Sequence, residues 1–394
     1  MTSRLVLALV GFVGWGAAAG CTSDKPVKCV YREPKALAEN AATMMADASL
    51  LPAGKDFVLA GIAGMNVSWA PVTAAGVAGA ASTLTITETP VIAPRLAVTA
   101  RATPGDQLVV VYGVLNAEMQ IELHALTQVA GEAAAGPVLI KALPAGVKLA
   151  DIRTAVGSSR TGQRALVAWA FADQPGTKIE TITLGANAAA VGPAITMDAP
   201  EVWQCLQFVP SRLDWSLSWV RYKPSNSPKP WFVVEDHRDN DSASARYNVS
   251  LSTEEVSCPT VSPTDRGYLI GWQTKQGTWV TDYDIASSSV SGNFVAGAIR
   301  FGSPDDQPPV SGVASMGFDM AVTFGVKQGP QVWLFNAFGA HVGDELKLPS
   351  NKGAVGPVST WPLQNAFYAT YREGTTVAAP EGPRWFMKVE CPAN

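Results

Sequence analysis

The chain has 394 residues, of which 47% are hydrophobic and 16% are charged, and it contains 35 Gly and 28 Pro. The low charge excludes a disordered chain, and the frequent Gly and Pro residues exclude long helices and coiled coils. The formal net charge is -4, from 29 Lys and Arg against 33 Asp and Glu. Such a balance offers no basic surface for wrapping nucleic acid, so we expect no nucleic-acid partner.

The N-terminus has the three regions of a secretion signal. Arg4 precedes an apolar run over residues 5–15, and small residues follow. Residues 18–21 (AAGC) resemble the bacterial lipobox, from which they depart at Ala18, where Leu is commonest. The resemblance implies cleavage before Cys21 and acylation of that cysteine. The alternative is ordinary signal cleavage nearby, with Cys21 as a stray thiol.

The lipobox resemblance also predicts where the protein resides. No later run reaches the roughly 18 apolar residues that a spanning helix needs, so we expect the protein to hang from a membrane by its acyl chains. In lipoproteins resembling this one, a residue other than Asp after the cysteine, here Thr22, permits outer-membrane sorting. We therefore predict a signal peptide at 1–20, a lipidated cysteine and short tether at 21–27, and an exported domain at 28–394 on the outer membrane or cell surface of a bacterium.

The body of the sequence repeats a short pattern in which apolar residues alternate and end on an aromatic residue. The separations between successive copies are 47 to 57 residues, and a turn and a second apolar strand follow each copy. Alternation with period two, interrupted by turn residues, is typical of β-hairpins. The copies end at Ile62, Tyr112, Trp169, Trp219, Trp272, Phe324 and Tyr371.

The spacing of these hairpins predicts the fold. Most hairpins are followed by two further strand patterns, for example 136–143 and 151–156, before the next hairpin begins. Four antiparallel strands per unit at this period describe a β-propeller blade. We therefore predict an all-β fold, a single seven-bladed β-propeller with four-stranded antiparallel blades. The alternatives are six or eight blades, or tandem β-sandwiches.

The two termini suggest how the ring closes. The last repeat has no room for an outer strand after Phe386, and residues 28–33 (KCVYRE) could supply one. An N-terminal strand there would complete the last blade and seal the ring. Residues 34–51 would then cross inward, partly helical, to give the first blade its inner strand. We expect the repeat-ending aromatics to lie in the core between blades.

The order of elements within a unit resembles the secreted propeller repeats of bacterial surface proteins. In those repeats an apolar strand ending in Trp, as in LVAW at 166–169, is followed by a hairpin partner such as KIETITL at 178–184. The sequence lacks the Ser-x-Asp-x-Gly-x-Thr-Trp box of sialidase-like propellers, as well as kelch and WD signatures. The resemblance therefore implies an architecture and does not imply hydrolytic activity.

Four cysteines remain after lipidation, Cys29, Cys205, Cys258 and Cys391. An even number in an exported protein favours disulfides, and three pairings are open. The closure hypothesis places Cys29 beside Cys391 at a separation that a disulfide accepts. Cys205 and Cys258 each precede an aromatic by 14 residues, so they occupy one register of neighbouring inner strands, although equivalent residues point the same way round the ring. Zinc lacks the usual close Cys and His spacing here, and we predict no metal and no cofactor.

The sequence identifies no catalytic group. The three histidines, His124, His237 and His341, fall in different units, so a His-based triad is disfavoured. His124 is interpreted as structural. His237 lies in the polar stretch 235–241 (EDHRDND), where carboxylates could bind calcium, but the twelve-residue ligand loop is missing and a solvated turn is favoured. No nucleophile elbow, metalloprotease helix, Walker loop or dinucleotide fingerprint occurs.

One regularity in the positions of charged residues points to the loops. The turns between inner and second strands carry Arg164, Arg212 and Arg266. Because all turns of one type gather on one face of a propeller, we expect the face with these turns to be basic. We expect the opposite face, which has the connections between units, to be acidic. Arg presents a planar fork suited to carboxylates or phosphates, although solubilising turn residues explain the same pattern. The connections from each outer strand to the next inner strand carry Asp198, Glu201, Glu254, Glu255, Asp305 and Asp306.

From these patterns we interpret the protein as a monomeric, non-enzymatic binding or scaffold module of the cell envelope for a protein or a glycan. The three arginines are its candidate ligand-binding residues, suited to an anionic glycan. The alternatives are a glycan-acting hydrolase or lyase with its site at the channel mouth, and a subunit of an envelope complex. The long loops 223–230 and 372–383 are candidate contact sites.

Overall fold

The computed structural model of the chain describes most residues between 30 and 390. The described residues are 30–45, 47–100, 105–172, 178–185, 187–198, 202–221, 231–250, 258–263, 267–274, 277–284, 293–294, 299–301, 310–316, 319–324, 331–335, 346–347, 354–363, 366–373 and 382–390. Within them the chain forms thirty strands and one short 3-10 helix, Leu149–Asp151. No helix in this part of the chain combines the length and apolar character that a membrane crossing demands.

The strands pair into seven antiparallel sheets, numbered here in chain order. Sheet 1 contains β3 (Ser49–Ala53), β4 (Asp56–Ala63), β5 (Asn66–Val72) and β6 (Ser82–Thr85); sheet 2 contains β7 (Ile92–Thr99), β8 (Gln107–Leu115), β9 (Ile121–Val129) and β10 (Ala135–Ala142). Sheet 3 contains β11 (Ile152–Ser158), β12 (Ala165–Phe171), β13 (Lys178–Leu184) and β14 (Ala190–Asp198); sheet 4 contains β15 (Val202–Val209), β16 (Trp215–Arg221), β17 (Trp231–His237) and β18 (Ala243–Ser250).

The remaining strands complete the set. Sheet 5 contains β19 (Thr260–Pro263), β20 (Gly267–Thr274), β21 (Gly277–Asp284), β22 (Asn293–Phe294) and β23 (Ile299–Phe301); sheet 6 contains β24 (Val310–Met316), β25 (Asp319–Phe324), β26 (Gln331–Phe335) and β27 (Leu346–Lys347). Sheet 7 contains β28 (Ala354–Leu363), β29 (Ala366–Glu373) and β30 (Arg384–Glu390), together with β1 (Val30–Tyr31) and β2 (Lys35–Ala36).

The sheets are arranged as the blades of a β-propeller. Within a sheet the strands pair in chain order, and the first strands of neighbouring sheets contact one another, for example β7 with β11 and β24 with β28. The first strand of the chain's first sheet, β3, also contacts β28 of the last. The first strand of each sheet is therefore innermost, and the predicted all-β antiparallel architecture is confirmed.

The prediction of seven uniform four-stranded blades is wrong. Five sheets are four-stranded blades, whereas sheets 5 and 7 each carry a fifth strand. In both cases the outermost position is divided between two short strands, β22 and β23 in sheet 5 and β1 and β2 in sheet 7. In sheet 7, Pro34 lies between the two strands, and proline cannot donate a backbone hydrogen bond to a ladder.

The N-terminal segment supplies the outer position of sheet 7. Tyr31 pairs with Val389, and Ala36 pairs with Trp385. The crossing to sheet 1 was predicted to be partly helical, but its described residues contain a hydrogen-bonded turn at 41–44 and no helix. The Asn40 side-chain oxygen accepts the N–H groups of residues 42 and 43 at 2.9 Å, which satisfies the turn locally and leaves no reason for a helix to continue.

The hydrophobic core lies between the sheets. Tyr112 packs in a cluster with Trp69 of sheet 1, and Trp169 and Trp219 occupy the equivalent positions at the next two interfaces, all three being about 1% exposed. The prediction that these aromatics form inter-blade core is confirmed for those three residues. Tyr371 is also buried, and the side chains of Trp272 and Phe324 lie outside the described residues.

The alternating strand directions give the propeller two faces. We call the side with the connections between sheets, and with the turns between second and third strands, the linker face. The opposite side, which has the turns between first and second and between third and fourth strands, is the turn face. Contacts between neighbouring turns confirm this assignment, because Ala100 N–H donates to the Gly162 carbonyl at 2.7 Å and Arg160 N–H donates to the Asp214 carbonyl.

Candidate functional site

A cavity of about 460 Å³ lies at the centre of the ring, within the size range of ligand-binding clefts. It is walled by inner strands of four neighbouring sheets, β3, β7, β11 and β15, and by the end of β4. Since β3 and β7 begin, and β4 ends, at the linker face, much of the lining belongs to that half of the channel. The lining includes the polar residues Asp47, Ser49, Arg95, Thr154 and Gln207 and the aromatic residue Phe208.

The cavity lining combines hydrogen-bonding groups with apolar surface. Ser49, Thr154 and Gln207 contribute hydroxyl and amide groups, whereas Leu51 and Phe208 contribute apolar surface. Gln207 is held in place because its amide donates to the Pro259 carbonyl of sheet 5 at 2.7 Å. This combination can hydrogen-bond the hydroxyls of a polar ligand while covering its apolar faces.

The lining also carries two opposite charges, Asp47 and Arg95. Both side chains are exposed to solvent. Among the residues that the structure describes, Arg95 makes no ion pair. An exposed guanidinium in a concave wall can accept a carboxylate or sulfate group in a two-pronged hydrogen-bonded pair.

The predicted arginines lie on the opposite side, in the turns of the turn face. Arg164 in sheet 3 contacts two carboxylates of sheet 4, since its Nη2 donates to Asp214 and its Nη1 lies 3.1 Å from Asp241 Oδ1. Burial works against the charge of Arg164, but the hydrogen bonds and charges of the two aspartates raise its pKa. The structure therefore brings Arg164 together with carboxylates of its own chain, which already satisfy its guanidinium.

Arg212 lies in the turn between β15 and β16, and its backbone contacts the neighbouring turn of sheet 3. The Arg160 side chain donates from Nη1 to the Arg212 carbonyl at 2.5 Å. Arg266 lies outside the described residues, so the convergence of all three predicted arginines stays a prediction. Neither Arg164 nor Arg212 lines the central cavity.

The stretch predicted as a solvated turn at 235–241 begins with the buried end of a strand. Glu235, Asp236 and His237 end strand β17 and are 1 to 3% exposed. The ring of His237 stacks on Trp215 with centroids 3.7 Å apart and an angle of 3°. Only residues 238–241 form the turn. The sequence was misleading because three polar residues in a row suggest a loop, and their partners come from other strands.

The two buried carboxyls in this strand respond differently to their surroundings. Burial raises the pKa of Asp236, although the Ser216 and Tyr268 hydroxyls donate to it. Burial acts in the same direction on Glu235, but His237 Nε2 at 3.0 Å and the Arg246 guanidinium outweigh it and hold the Glu235 pKa below its usual range. Sheets 4 and 5 therefore enclose a polar network around the two carboxyls.

A second polar chain contains His124, on the linker face between sheets 1 and 2. Glu88 Oε2 accepts from the Tyr112 hydroxyl at 2.6 Å and lies 2.9 Å from His124 Nδ1. On the other side of the ring, His124 Nε2 lies 3.2 Å from Glu122 Oε2. Burial works against the Glu88 carboxylate, yet the contacts with Tyr112 and His124 lower its pKa. Glu88 lies 24 residues from Tyr112 and 36 from His124, so the strand pattern gave no signal for this cluster.

One predicted disulfide lies within the described residues. Cys205 of β15 and Cys258, just before β19, are bonded with their Cα atoms 5.3 Å apart, across the interface of sheets 4 and 5. Cys205 has a positive φ of 58°, so the backbone turns where the bond forms and the two equivalent residues can face each other. Cys21, Cys29 and Cys391 lie outside the described residues, and their lipidation and pairing stay predictions.

The acidic half of the predicted face pattern is represented by a single described residue. Asp198 ends strand β14 and is exposed on the linker face, as expected. Glu201, Glu254, Glu255, Asp305 and Asp306 lie outside the described residues, as do His341, the loop 223–230 and most of the loop 372–383. In the described part of the chain, no three His, Cys, Asp or Glu side chains are grouped as metal ligands would be.

Comparison with known proteins supports the class of fold. Neither a protein-family model nor a curated protein matches the chain. The crystal structure of polysaccharide lyase Uly1 matches with a TM-score of 0.51 and 8% identity, over 90% of this chain and 91% of that one. At this identity the likeness shows the fold alone, and it agrees with the β-propeller described above.

Two further solved structures are similar at lower scores. BBS1N in complex with ARL6DN matches with a TM-score of 0.45 and 12% identity, over 94% of this chain and 98% of that one. A neuraminidase-like protein from A/bat/Guatemala/164/2009 matches with a TM-score of 0.43 and 11% identity, over 78% and 92% of the two chains. Neither score supports an argument about function.

Proposed function

We propose that this protein is a lipid-anchored β-propeller of the bacterial cell envelope that binds an acidic oligosaccharide in its central cavity. The observation that carries the proposal is the cavity cation Arg95, which makes no ion pair with any residue that the structure describes. Arg95 projects into a cleft that also offers hydroxyl, amide and apolar groups. A sugar ring presents hydroxyls at its edge and C–H groups on its faces, and an acidic sugar adds a carboxylate or sulfate for the guanidinium.

The similarity to a polysaccharide lyase is consistent with this ligand class. Uly1 is named as an enzyme that acts on a polysaccharide, and it shares the propeller fold over nine-tenths of each chain. A fold hosts many functions, however, and function must be argued from the site. The proposal therefore depends on the cavity chemistry, and the comparison adds only that a propeller of this kind can serve a glycan-directed protein.

Export and anchoring form the second half of the proposal. The signal-like segment 1–20 and the lipobox-like residues 18–21 support acylation of Cys21. A single acyl chain gives marginal binding, whereas two or three give stable anchoring. Mass spectrometry of the mature protein should show a diacyl- or triacyl-modified N-terminal Cys21, and an unmodified N-terminus at another residue would contradict this half of the proposal.

Ligand binding is tested by calorimetric titration of the purified mature protein with oligosaccharides that are neutral, uronate-containing or sulfated. We expect binding of an acidic sugar, and the variant Arg95→Gln should weaken it about 10- to 100-fold, because a charge-assisted hydrogen-bonded pair contributes about 1.5–3 kcal/mol. Lys148→Gln is the matched control, since Lys148 is an exposed cation just before Leu149–Asp151 on the same face and does not line the cavity. Equal loss in both variants, or tighter binding of neutral sugars, would contradict a specific role for Arg95.

Cleavage of the glycan is the second candidate function. The similarity to a named polysaccharide lyase favours it, while the described cavity wall offers Asp47 as its carboxylate. General acid–base hydrolysis of a glycoside uses a pair of carboxyl groups. Prolonged incubation of the protein with a bound oligosaccharide distinguishes the two functions, because shorter or unsaturated products would establish an enzyme and an unchanged chain length would leave a binding protein.

A further inference from the structure

The direction in which the chain enters the propeller determines where an N-terminal anchor leaves it. Strand β1 is the outer strand of sheet 7, and Val30 pairs with Glu390, the last residue of β30. Strand β30 is the third strand of its sheet, so it runs from the linker face to the turn face. The antiparallel strand β1 runs the other way. The described chain therefore begins at the turn-face edge of sheet 7, which is where a segment from an N-terminal anchor joins it.

The length of the connection to the anchor limits how far the domain can turn. Eight residues, 22–29, separate Cys21 from Val30. A fully extended chain spans at most about 3.6 Å per residue, so eight residues reach about 29 Å. A connection of this length, attached at the turn-face edge of sheet 7, favours the orientation in which that face lies against the bilayer.

The distribution of exposed apolar side chains does not by itself indicate which face meets the bilayer. Six of the ten large apolar side chains that are exposed in the described residues lie at the linker face, whereas Val77, Val191 and Leu213 lie at the turn face, Val191 near the start of β14. By itself an apolar face could dip into a bilayer or receive a ligand. The exit point of the chain decides between them, because it places this face away from the anchor. The six residues are Met44, Met65, Leu115, Met119, Leu149 and Trp231.

We infer that the turn face is the membrane-facing surface of this protein and that the linker face, where Asp47 and Ser49 of the cavity wall lie, is presented away from the membrane. The partner of the turn face is the lipid bilayer to which the chain is anchored. The inference rests on the proposed acylation of Cys21. It adds that a polysaccharide outside the membrane reaches the cavity without passing between the domain and the lipid.

The test compares two dye positions on one strand of the acylated mature protein in vesicles. Strand β4 connects the two faces, with Lys55 just before it on the turn face and Met65 just after it on the linker face, both exposed. The eight residues of β4 span about 26 Å at 3.3 Å per residue. Single variants Lys55→Cys and Met65→Cys are labelled with a donor dye, and the parent protein treated with the same dye is the blank.

Energy transfer to an acceptor-labelled lipid then reports the distance of each dye from the bilayer. We expect at least a twofold stronger transfer from position 55 than from position 65. Equal transfer from both positions, or stronger transfer from position 65, would overturn the inference. Flotation of the vesicles separates this result from failure of the anchor, because a protein that does not float with the vesicles contradicts the acylation and a protein that floats with the wrong dye order contradicts the orientation alone.

Discussion

Two aspartates in one turn differ sharply in what they contact. Asp241 accepts from the Trp215 indole N–H at 2.9 Å and pairs with Arg164, whereas Asp239 is exposed in the same turn. Asp241 also has a positive φ of 62°, a conformation that Asn tolerates as well as Asp does. The pair therefore offers a comparison in which only the ion pair changes.

We predict that Asp241→Asn destabilises the protein by about 1–3 kcal/mol, because Arg164 loses one of its two carboxylate partners in a partly buried site. Asp239→Asn should change the free energy of unfolding by less than about 0.5 kcal/mol, as is usual for an exposed substitution. Denaturant unfolding of the two variants provides the measurement. Equal effects would mean that the Arg164 cluster does not stabilise the fold.

The buried carboxyl of Asp236 makes a prediction about pH. Burial raises its pKa in the folded protein, so the folded state binds this proton more tightly than the unfolded state does. Its contribution to stability is then fully present below the unfolded pKa, near 4, and is lost as the pH rises through the folded pKa. Glu235 acts oppositely, because its lowered pKa contributes stability that is lost as the pH falls.

We therefore expect the variant Asp236→Asn to gain stability relative to the parent protein as the pH rises from about 4 to about 7. The measurement is the free energy of unfolding of both proteins at several pH values in that interval. The quantity of interest is how the difference between the two free energies of unfolding changes with pH, because any pH-independent cost of the substitution cancels. Parallel profiles would show that Asp236 does not titrate differently in the folded and unfolded states.

At the scale of strands and connections, the N-terminal crossing is held by one buried side chain. Arg384 of β30 donates to the carbonyls of Thr43 and Ala48 at 3.3 and 3.1 Å, and also to the Met45 carbonyl. Burial and the neighbouring Arg372 lower the pKa of Arg384 to about 10. The bonds to the three carbonyls offset part of the cost of burying this charge and attach the crossing to sheet 7.

Replacing Arg384 with Met should release this crossing. We expect a loss of about 2–4 kcal/mol, because three carbonyls lose their donor, and we expect faster hydrogen exchange in residues 38–45. Arg32→Met is the matched control, since Arg32 also links the N-terminal segment to β30 but is largely exposed in its pair with Glu390 and should matter by less than about 1 kcal/mol. Unchanged hydrogen exchange of residues 38–45 in the Arg384 variant would contradict the role of Arg384 in holding the crossing against sheet 7.

The disulfide between sheets 4 and 5 closes a loop of 53 residues. We predict that Cys258→Ala lowers the free energy of unfolding by about 2–4 kcal/mol, as is typical for a bond of this loop length. The proposed Cys29–Cys391 bond can be tested in the same background, because those cysteines neighbour the paired residues Val30 and Glu390. A further loss on adding reductant to the Cys258→Ala variant would support it, and no further loss would contradict it.

At the scale of the whole molecule, the sequence was sufficient to predict the repeating strand pattern, but it was not sufficient to predict the contacts between repeats. Strands ending at Tyr112, Trp169 and Trp219 were found because a half-buried strand alternates with period two and each inter-sheet layer needs a large aromatic. The partners of Arg164 were not found, since Asp214 and Asp241 lie 50 and 77 residues away. Spacing along one chain does not show which turns of two sheets meet.

Two further features could not be predicted from the sequence: the number of strands at the outer edge of sheet 7 and the position of the candidate site. The double outer strand of sheet 7 depends on Pro34 and on pairing with β30, about 350 residues further along the chain. The cavity residues Asp47, Arg95 and Gln207 lie on strands or linkers of different sheets, and none of them belongs to a motif. The predicted charge pattern drew attention to the arginines of the turn face, whereas Arg95, which has no ion pair among the described residues, lines the channel.

A crystal structure of the protein with its tightest-binding acidic oligosaccharide is the most direct test of the proposed function. We predict sugar density in the central cavity, with an acidic group within hydrogen-bond distance of the Arg95 guanidinium and hydroxyls near Thr154 and Gln207. Density on the turn face beside Arg164, or an empty cavity at saturating ligand, would contradict the assignment of the channel as the binding site.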